Sequence, residues 1–254
     1  MNVTIAMTAE AEAAAVRYGM LVDGWRSIYQ REMDASDFGS ARQMNRVSEQ
    51  AYAIGRQFLD TEAGLIEESS MIIVREALRA TSDELATPAA ETLTDAVRDH
   101  LGDAENYLLH ELSIQIERDI AFLKQSLRKA ALQVTIAARA QRIPLRAALI
   151  QYRIGNTTEL HFFFHDRRNQ KWPSRKFVRA VWRHHLLALY NEVVLLTLAD
   201  HGIETAMIRH ADPNYHSHGL VIAMSSGTSL PTYSEIRNEI FHPNSDAVLT
   251  RAVD

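Results

Sequence analysis

The sequence predicts a mainly α fold: a long-helix N-terminal arm or bundle followed by a small α+β C-terminal head. Three observations predict it. Residues 9–87 contain no proline and are rich in Ala, Glu, Arg, Gln and Met. From Leu109 to Val134 the apolar residues step by three and four almost without a fault, the signature of a helix with one buried face. Beyond about residue 158 that period dissolves into short aromatic or β-branched runs set between turn residues. The natural division is a helical arm, 1–150, and a compact α+β domain, 151–254.

Taken in order, Val16, Met20 and Trp25, then Met44, Val47, Ala51, Ile54 and Phe58, recur at helical spacing and predict amphipathic helices with those residues inward. Gly39-Ser40 and Gly64 read as breaks or irregularities within the helical run, and MIIVREALRA from Met71 as a further helix. Thr81-Ser82-Asp83 and Thr87-Pro88 supply capping and turn chemistry. Thr92 to His100 predicts a short helix that Gly102-Asp103 terminates. From Ala104 to Arg142 the stripe of Leu109, Leu112, Ile116, Ile120, Leu123, Leu127, Ala130 and Val134 predicts one helix of roughly 55 Å. Its near-heptad repeat should pack lengthwise against another helix.

Pro144 ends or kinks that helix, and Leu145 to Tyr152 resumes it briefly. Glu159 to His165 reads as a strand and Asp166 to Gln170 as its turn. Pro173-Ser174 opens a helix running to Asp200, with Phe177, Val181, Leu186, Leu189, Val193 and Leu196 inward. Gly202 caps its end. Ile203–Arg209 and Gly219–Met224 predict strands, and Ser234–Ile240 a short helix.

Composition excludes several classes. The chain has no cysteine, which removes disulfides, thiol catalysis and cysteine-ligated zinc. MNVTIAMTAEAEAAAVRYGM lacks the basic start and unbroken apolar core of a signal peptide. No window reaches the length of apolar run that a membrane span needs, so no membrane partner and a cytoplasmic history are expected. The formal net charge is -5, but it is unevenly spread. Residues 139–183 hold 11 Lys/Arg against 2 Asp/Glu, whereas residues 1–138 hold 13 against 22. A basic belt between acidic segments points to an acidic surface, on its own chain or another, or to nucleic acid.

The scattered glycines form no phosphate loop. Ser225-Ser226-Gly227 lacks the context of a nucleophile elbow, and Glu235 and Glu239 read as solvated. No catalytic residue is assigned. Rare residue types crowd only near the C-terminus, where Asp212-x3-His216-x-His218 and His242 have the types and spacing of a three- or four-ligand zinc site. The competing reading is that these histidines hydrogen-bond the loops together and bind nothing. If they held an ion, a metal-dependent hydrolase or nuclease would follow.

The run DRRNQKWPSRKFVRAVWR, from Asp166 to Arg183, resembles a segment of tailed-bacteriophage minor capsid proteins, the head-morphogenesis or MuF-like group. The similarity continues in order through Gly202, Glu204 to Arg209, Asp212, His216/His218-Gly219 and Phe241-His242-Pro243-Asn244-Ser245. It covers residues 160–249. Where the family often has cysteines, this chain has His216, His218 and Ser245, and nothing stands for the last cysteine. The resemblance implies a non-enzymatic virion protein, present in host cytoplasm during assembly and built into an oligomeric head. Portal or major capsid proteins would be its partners, and packaged DNA a non-specific one. Under that reading Arg167, Arg168, Lys171, Arg175, Lys176 and Arg179 would contact phosphates or acidic protein. A helical nucleic-acid-binding adaptor is the remaining alternative.

Overall fold

The computed structural model describes residues 3–88, 92–155, 160–166, 168–242 and 244–252. The protein is mainly α, 70% helical, with long helices first and short strands confined to the C-terminal part. Four long or medium helices come first: α1 Val3–Glu32, α2 Ala41–Leu85, α3 Asp95–Gln141 and α4 Leu145–Gly155. A hairpin follows, β1 Phe163–His165 and β2 Lys171–Pro173, then α5 Ser174–Asp200. The chain ends with β3 Thr205–Arg209, β4 Val221–Ala223, α6 Tyr233–Ile240 and β5 Val248–Arg251.

Two glycines expected to interrupt helices do not. Gly64 lies inside the 45-residue α2 and Gly102 inside the 47-residue α3, about 70 Å long. A mid-helix glycine costs only about 1 kcal/mol relative to Ala, and buried neighbours outweigh it: Ile66, Ile73 and Val74 beyond Gly64, Leu101 and Leu108 around Gly102. Consequently the helices expected at 71 and 92–100 are parts of α2 and α3. The true break is at Gly39, whose φ of 82° only glycine adopts without cost. Pro144 does end α3, after Arg142 turns left-handed at φ 56°.

The long-helix stripe is inward as predicted: Leu112, Ile116, Ile120, Leu123, Leu127, Ala130 and Val134 are all buried. At its start Leu108, not Leu109, takes the core position. The face of α1 departs further. Val16 and Met20 are 60% and 69% exposed, and the inward face is Met7, Ala11, Ala14, Tyr18, Val22, Trp25 and Tyr29. That face carries three aromatic rings, each able to bury about 150–250 Å², and outcompetes the aliphatic one.

The chain packs as two compact units, each drawn from separate stretches. The unit of residues 15–61 and 111–177 is a helix packing cemented by aromatic rings. The Trp25 indole N–H donates to the Ala51 carbonyl at 3.2 Å, and Tyr18 meets Trp25 and Phe58 edge-on. Close approach between α2 and α3 needs Gly55, where an added Cβ would lie 3.0 Å from Ile116. Buried Glu32 and half-buried Asp37 both bind Arg46, at 2.6 and 2.9 Å, closing the α1–α2 turn. A buried carboxylate on α3, Asp119, accepts hydrogen bonds from Tyr18 (2.7 Å), Ser174 (2.9 Å) and Gln115 (3.1 Å). This fixes Ser174, and so the start of α5.

The other unit comprises residues 1–14, 62–110 and 178–254. There α5 is buried almost all round from His185 to Val194; Leu186, Leu189 and Val193 are inward as predicted, while Val181 and Leu196 are half-buried. The strands form one antiparallel sheet in the order β4-β3-β5. Strand β5 has no counterpart among the sequence expectations, being only four residues long. It is tied to α5 by Asn191, whose side-chain oxygen accepts the Leu249 N–H at 2.8 Å. The predicted strand at 159–165 is likewise shorter, starting at Phe163, and Glu159 lies outside the described residues. The predicted cap at Gly202 holds: it sits at φ 69° and the Ile203 N–H returns to the Leu198 carbonyl at 3.0 Å, whereas Thr81, Ser82 and Asp83, expected to cap, lie inside α2.

Candidate functional site

Both places singled out by the sequence can be built from their residues, beginning with the C-terminal turns. Strand β3 buries Ala206 and Ile208, and its alternation carries one residue further to His210. The side chain of His210 is 1% exposed. Its Nδ1 lies 2.7 Å from Asp246 Oδ1 and its Nε2 2.7 Å from Ser217 Oγ. The second carboxylate oxygen accepts the Ala211 N–H at 3.0 Å. The Tyr215 ring stacks on the imidazole with centroids 4.2 Å apart. Gly219, at φ 82°, turns the chain so that its N–H returns to the Ile208 carbonyl at 2.8 Å.

One carboxylate therefore clasps the β3–β4 turn to the segment entering β5, at the end of the sheet where Arg209 pairs with Val248. Burial works to raise the Asp246 carboxyl pKa. Hydrogen bonds from His210 and the Ala211 N–H overcome it and hold the group below the usual carboxylate range.

Carboxylate on Nδ1 and hydroxyl on Nε2 is the bonding order of a serine-type relay. Here, however, Ser217 is only 2% exposed and Tyr215 covers the imidazole. In this arrangement the hydroxyl is held inside the turn, and the network joins loops. The hydrogen bonding that joins these loops thus runs through His210, Ser217 and Asp246, which the sequence reading did not single out.

The four predicted ligands each have a local role. Asp212 Oδ1 accepts the Asn214 N–H at 2.9 Å and its amide at 3.1 Å. His216 is exposed, with its ring centroid 4.8 Å from that of Tyr215. His218 Nδ1 accepts the His210 N–H at 3.1 Å, and His242 Nδ1 accepts the Asn244 N–H at 3.2 Å. Among the described residues no three of His, Asp and Glu are placed to share one metal ion. Pro243, next to His242, lies outside the described residues. Glu235 is a capping-box residue whose carboxylate accepts the Thr232 N–H at 2.7 Å. Sequence reasoning missed His210, Ser217 and Asp246. The available signal was the period-2 alternation of β3, which points position 210 inward.

The basic belt centres on the hairpin. Asp166 Oδ1 accepts the N–H groups of Arg168 and Gln170 at 2.9 and 2.8 Å, and Oδ2 accepts the Trp172 indole N–H at 3.1 Å. The backbone bond from Gln170 is the main reason this carboxyl stays below its usual pKa. Asn169 supplies the left-handed turn residue at φ 58°. Arg168, Lys171, Arg175 and Lys176 are exposed, and among the described residues none has an ion-pair partner. Lys171 Nζ lies 3.4 Å from the Phe163 ring centroid and Lys176 Nζ 5.6 Å from that of Trp172. Arg167 lies outside the described residues. Arg179 differs from the rest: it is half-buried and ion-paired to Glu12, so it is not a free contact.

Comparisons of the chain with protein-family models, curated proteins and solved structures find no match. No helix among the described residues is long and apolar enough to cross a membrane.

Proposed function

We propose that this chain is a structural component of a tailed-phage head, a minor capsid or head-morphogenesis protein without catalysis. It assembles oligomerically in the host cytoplasm, enters the virion near the portal, and touches packaged DNA non-specifically. One observation carries the reading. Part of the family resemblance, at Gly202, Asp212, His216/His218-Gly219 and His242/Asn244, falls in the segments that flank the strands of one three-stranded sheet, while the Asp166–Arg183 run lies on the hairpin and α5. The 210–220 turn and the segment entering β5 are joined at one end of it by the His210–Asp246 clasp. Arg168, Lys171, Arg175 and Lys176, exposed and without an ion-pair partner among the described residues, support the DNA contact, because such cations suit salt-dependent phosphate binding.

Co-expression with its genomic neighbours tests the proposal. Sedimentation with a portal ring or procapsid is the expected result. A free monomer or dimer that binds DNA in a salt-sensitive manner, with no portal affinity, would overturn it in favour of a nucleic-acid-binding adaptor.

A further inference from the structure

The hairpin and the first turn of α5 bring together cations, aromatic rings and a cleft. The cleft has a volume of about 460 Å³ and is lined by Arg26, His161, Phe163, Lys171, Ser174 and Arg175 among others. That is within the roughly 300–1,000 Å³ of small-ligand sites and has room for one base. Its one acidic lining residue, Asp23, is already paired with Arg26 at 2.7 Å. Lys171 and Arg175, which line it, have no carboxylate partner among the described residues.

In the β1–β2 register His165 faces Lys171 and Phe164 faces Trp172. Since successive residues alternate sides, Lys171 and the cleft lie on one face of the hairpin and Trp172 on the other. The second face carries a ring that is 39% exposed, steadied by Asp166 and flanked by Lys176. Between the two faces runs the outer edge of β2, which pairs with no strand among the described residues.

We infer that this hairpin is a binding site for single-stranded nucleic acid, with the strand crossing the open β2 edge, phosphates on Lys171 and Arg175, and a base stacked on Trp172. The inference rests on the DNA-contact part of the proposed function and names the form of nucleic acid. Phosphate contacts alone would not separate a single strand from a duplex. An exposed ring beside Lys176 does, because only an unpaired base offers a free π-face. An acidic protein surface would use the cations but has no need of the exposed indole.

The test uses the full chain, with labelled oligo-dT and a duplex of equal length followed by fluorescence anisotropy. Trp25 and Trp182 are 0% exposed, so Trp172 is the indole whose emission a stacked base can quench. Oligo-dT is expected to bind more tightly than duplex and to quench that emission. Trp172→Ala should weaken binding about tenfold, with Trp172→Phe recovering most of it. Lys171→Ala and Arg175→Ala should each reduce the slope of log K against log salt by about 0.7. Equal affinity for duplex and single strand, an unchanged Trp172→Ala, or preference for polyglutamate over oligo-dT would overturn the inference. Portal sedimentation is read separately: a protein that sediments with the portal yet ignores oligo-dT loses this site and keeps its assembly role.

Discussion

Replacing Asp246 with Ala removes the acceptor that joins two turns, and the cost follows from its bonds. The carboxylate sits 2.7 Å from His210 Nδ1 and accepts the Ala211 N–H at 3.0 Å. Hydrogen bonds to a charged group contribute about 1.5–3 kcal/mol each. The Asp246 side chain is 36% exposed, so water offsets part of that, and the lower end applies on its side. The imidazole is 1% exposed and finds no replacement, which restores some of the penalty. A loss of about 2–3 kcal/mol is expected, or about 5–10 °C in Tm for a domain of this size. Asp246→Asn keeps an acceptor for His210 and should fall between. Because the folded carboxyl pKa is depressed, its contribution is present above the ordinary value near 3.9 and is lost as pH falls through the folded one. Urea denaturation followed by circular dichroism should therefore show a wild-type/Ala gap that is full at pH 7 and shrinks in strong acid. A gap under about 0.5 kcal/mol at pH 7, within the ordinary range of surface substitutions, or one indifferent to acid, would refute the clasp.

Two further predictions concern the helices. Burial pushes the Asp119 carboxyl up to about 6 despite its hydrogen bonds from Tyr18, Ser174 and Gln115. A raised folded pKa has the opposite sign to Asp246: its contribution is full below about 3.9 and lost as pH rises through about 6. Thermal melts should show wild type losing on the order of 2 kcal/mol between pH 4 and 7 relative to Asp119→Asn; parallel melts of the two proteins would refute this. Gly64 has nothing within 4 Å of an added Cβ, so Gly64→Ala should raise stability by about 0.5–1 kcal/mol. Gly55→Val, which forces atoms into Ile116 and Ile120, should lower it by about 1–3 kcal/mol.

Much of the fold was legible because it depends on local physics. The inward run from Leu112 to Val134 needs only period and polarity. The 166–170 turn needs an aspartate that bonds its own backbone and an asparagine that tolerates positive φ, and Gly202 needs only its lack of a side chain. What failed depended on competition between distant residues. Gly64 and Gly102 carry the local signal of a break, but helix continuity is decided by what their neighbours bury. Val16 and Met20 have good helical spacing, yet Tyr18, Trp25 and Tyr29 offered a larger face to a partner the sequence does not display. Strand β5 is a four-residue segment stabilised by β3 and Asn191, with too few residues to show a period of its own.

The candidate site shows the same divide at the scale of single residues. Resemblance and spacing drew attention to His216, His218, His242 and Ser245, whereas the residues that close the turns are the buried Ser217 and the half-exposed Asp246, adjacent in the chain to three of them. In extended or tightly turned backbone a shift of one residue reverses the side-chain direction, so a motif can mark the right turn and miss the atoms that close it. The inward positions hold a hydroxyl, an imidazole and a carboxylate whose bonds are mutually satisfied: Asp246 Oδ1 on Nδ1, Ser217 Oγ on Nε2, and Asp246 Oδ2 on the Ala211 N–H. A chain without cysteine cannot join these turns with a disulfide. Three hydrogen bonds at about 1–3 kcal/mol each are comparable with the 2–5 kcal/mol lost when a native disulfide is removed from a small domain. Unlike a disulfide, this closure depends on charge. Protonating Asp246 weakens two of the three bonds at once, so the two turns should loosen together in acid, with the amides of Ala211 and Gly219 gaining hydrogen-exchange rate in step.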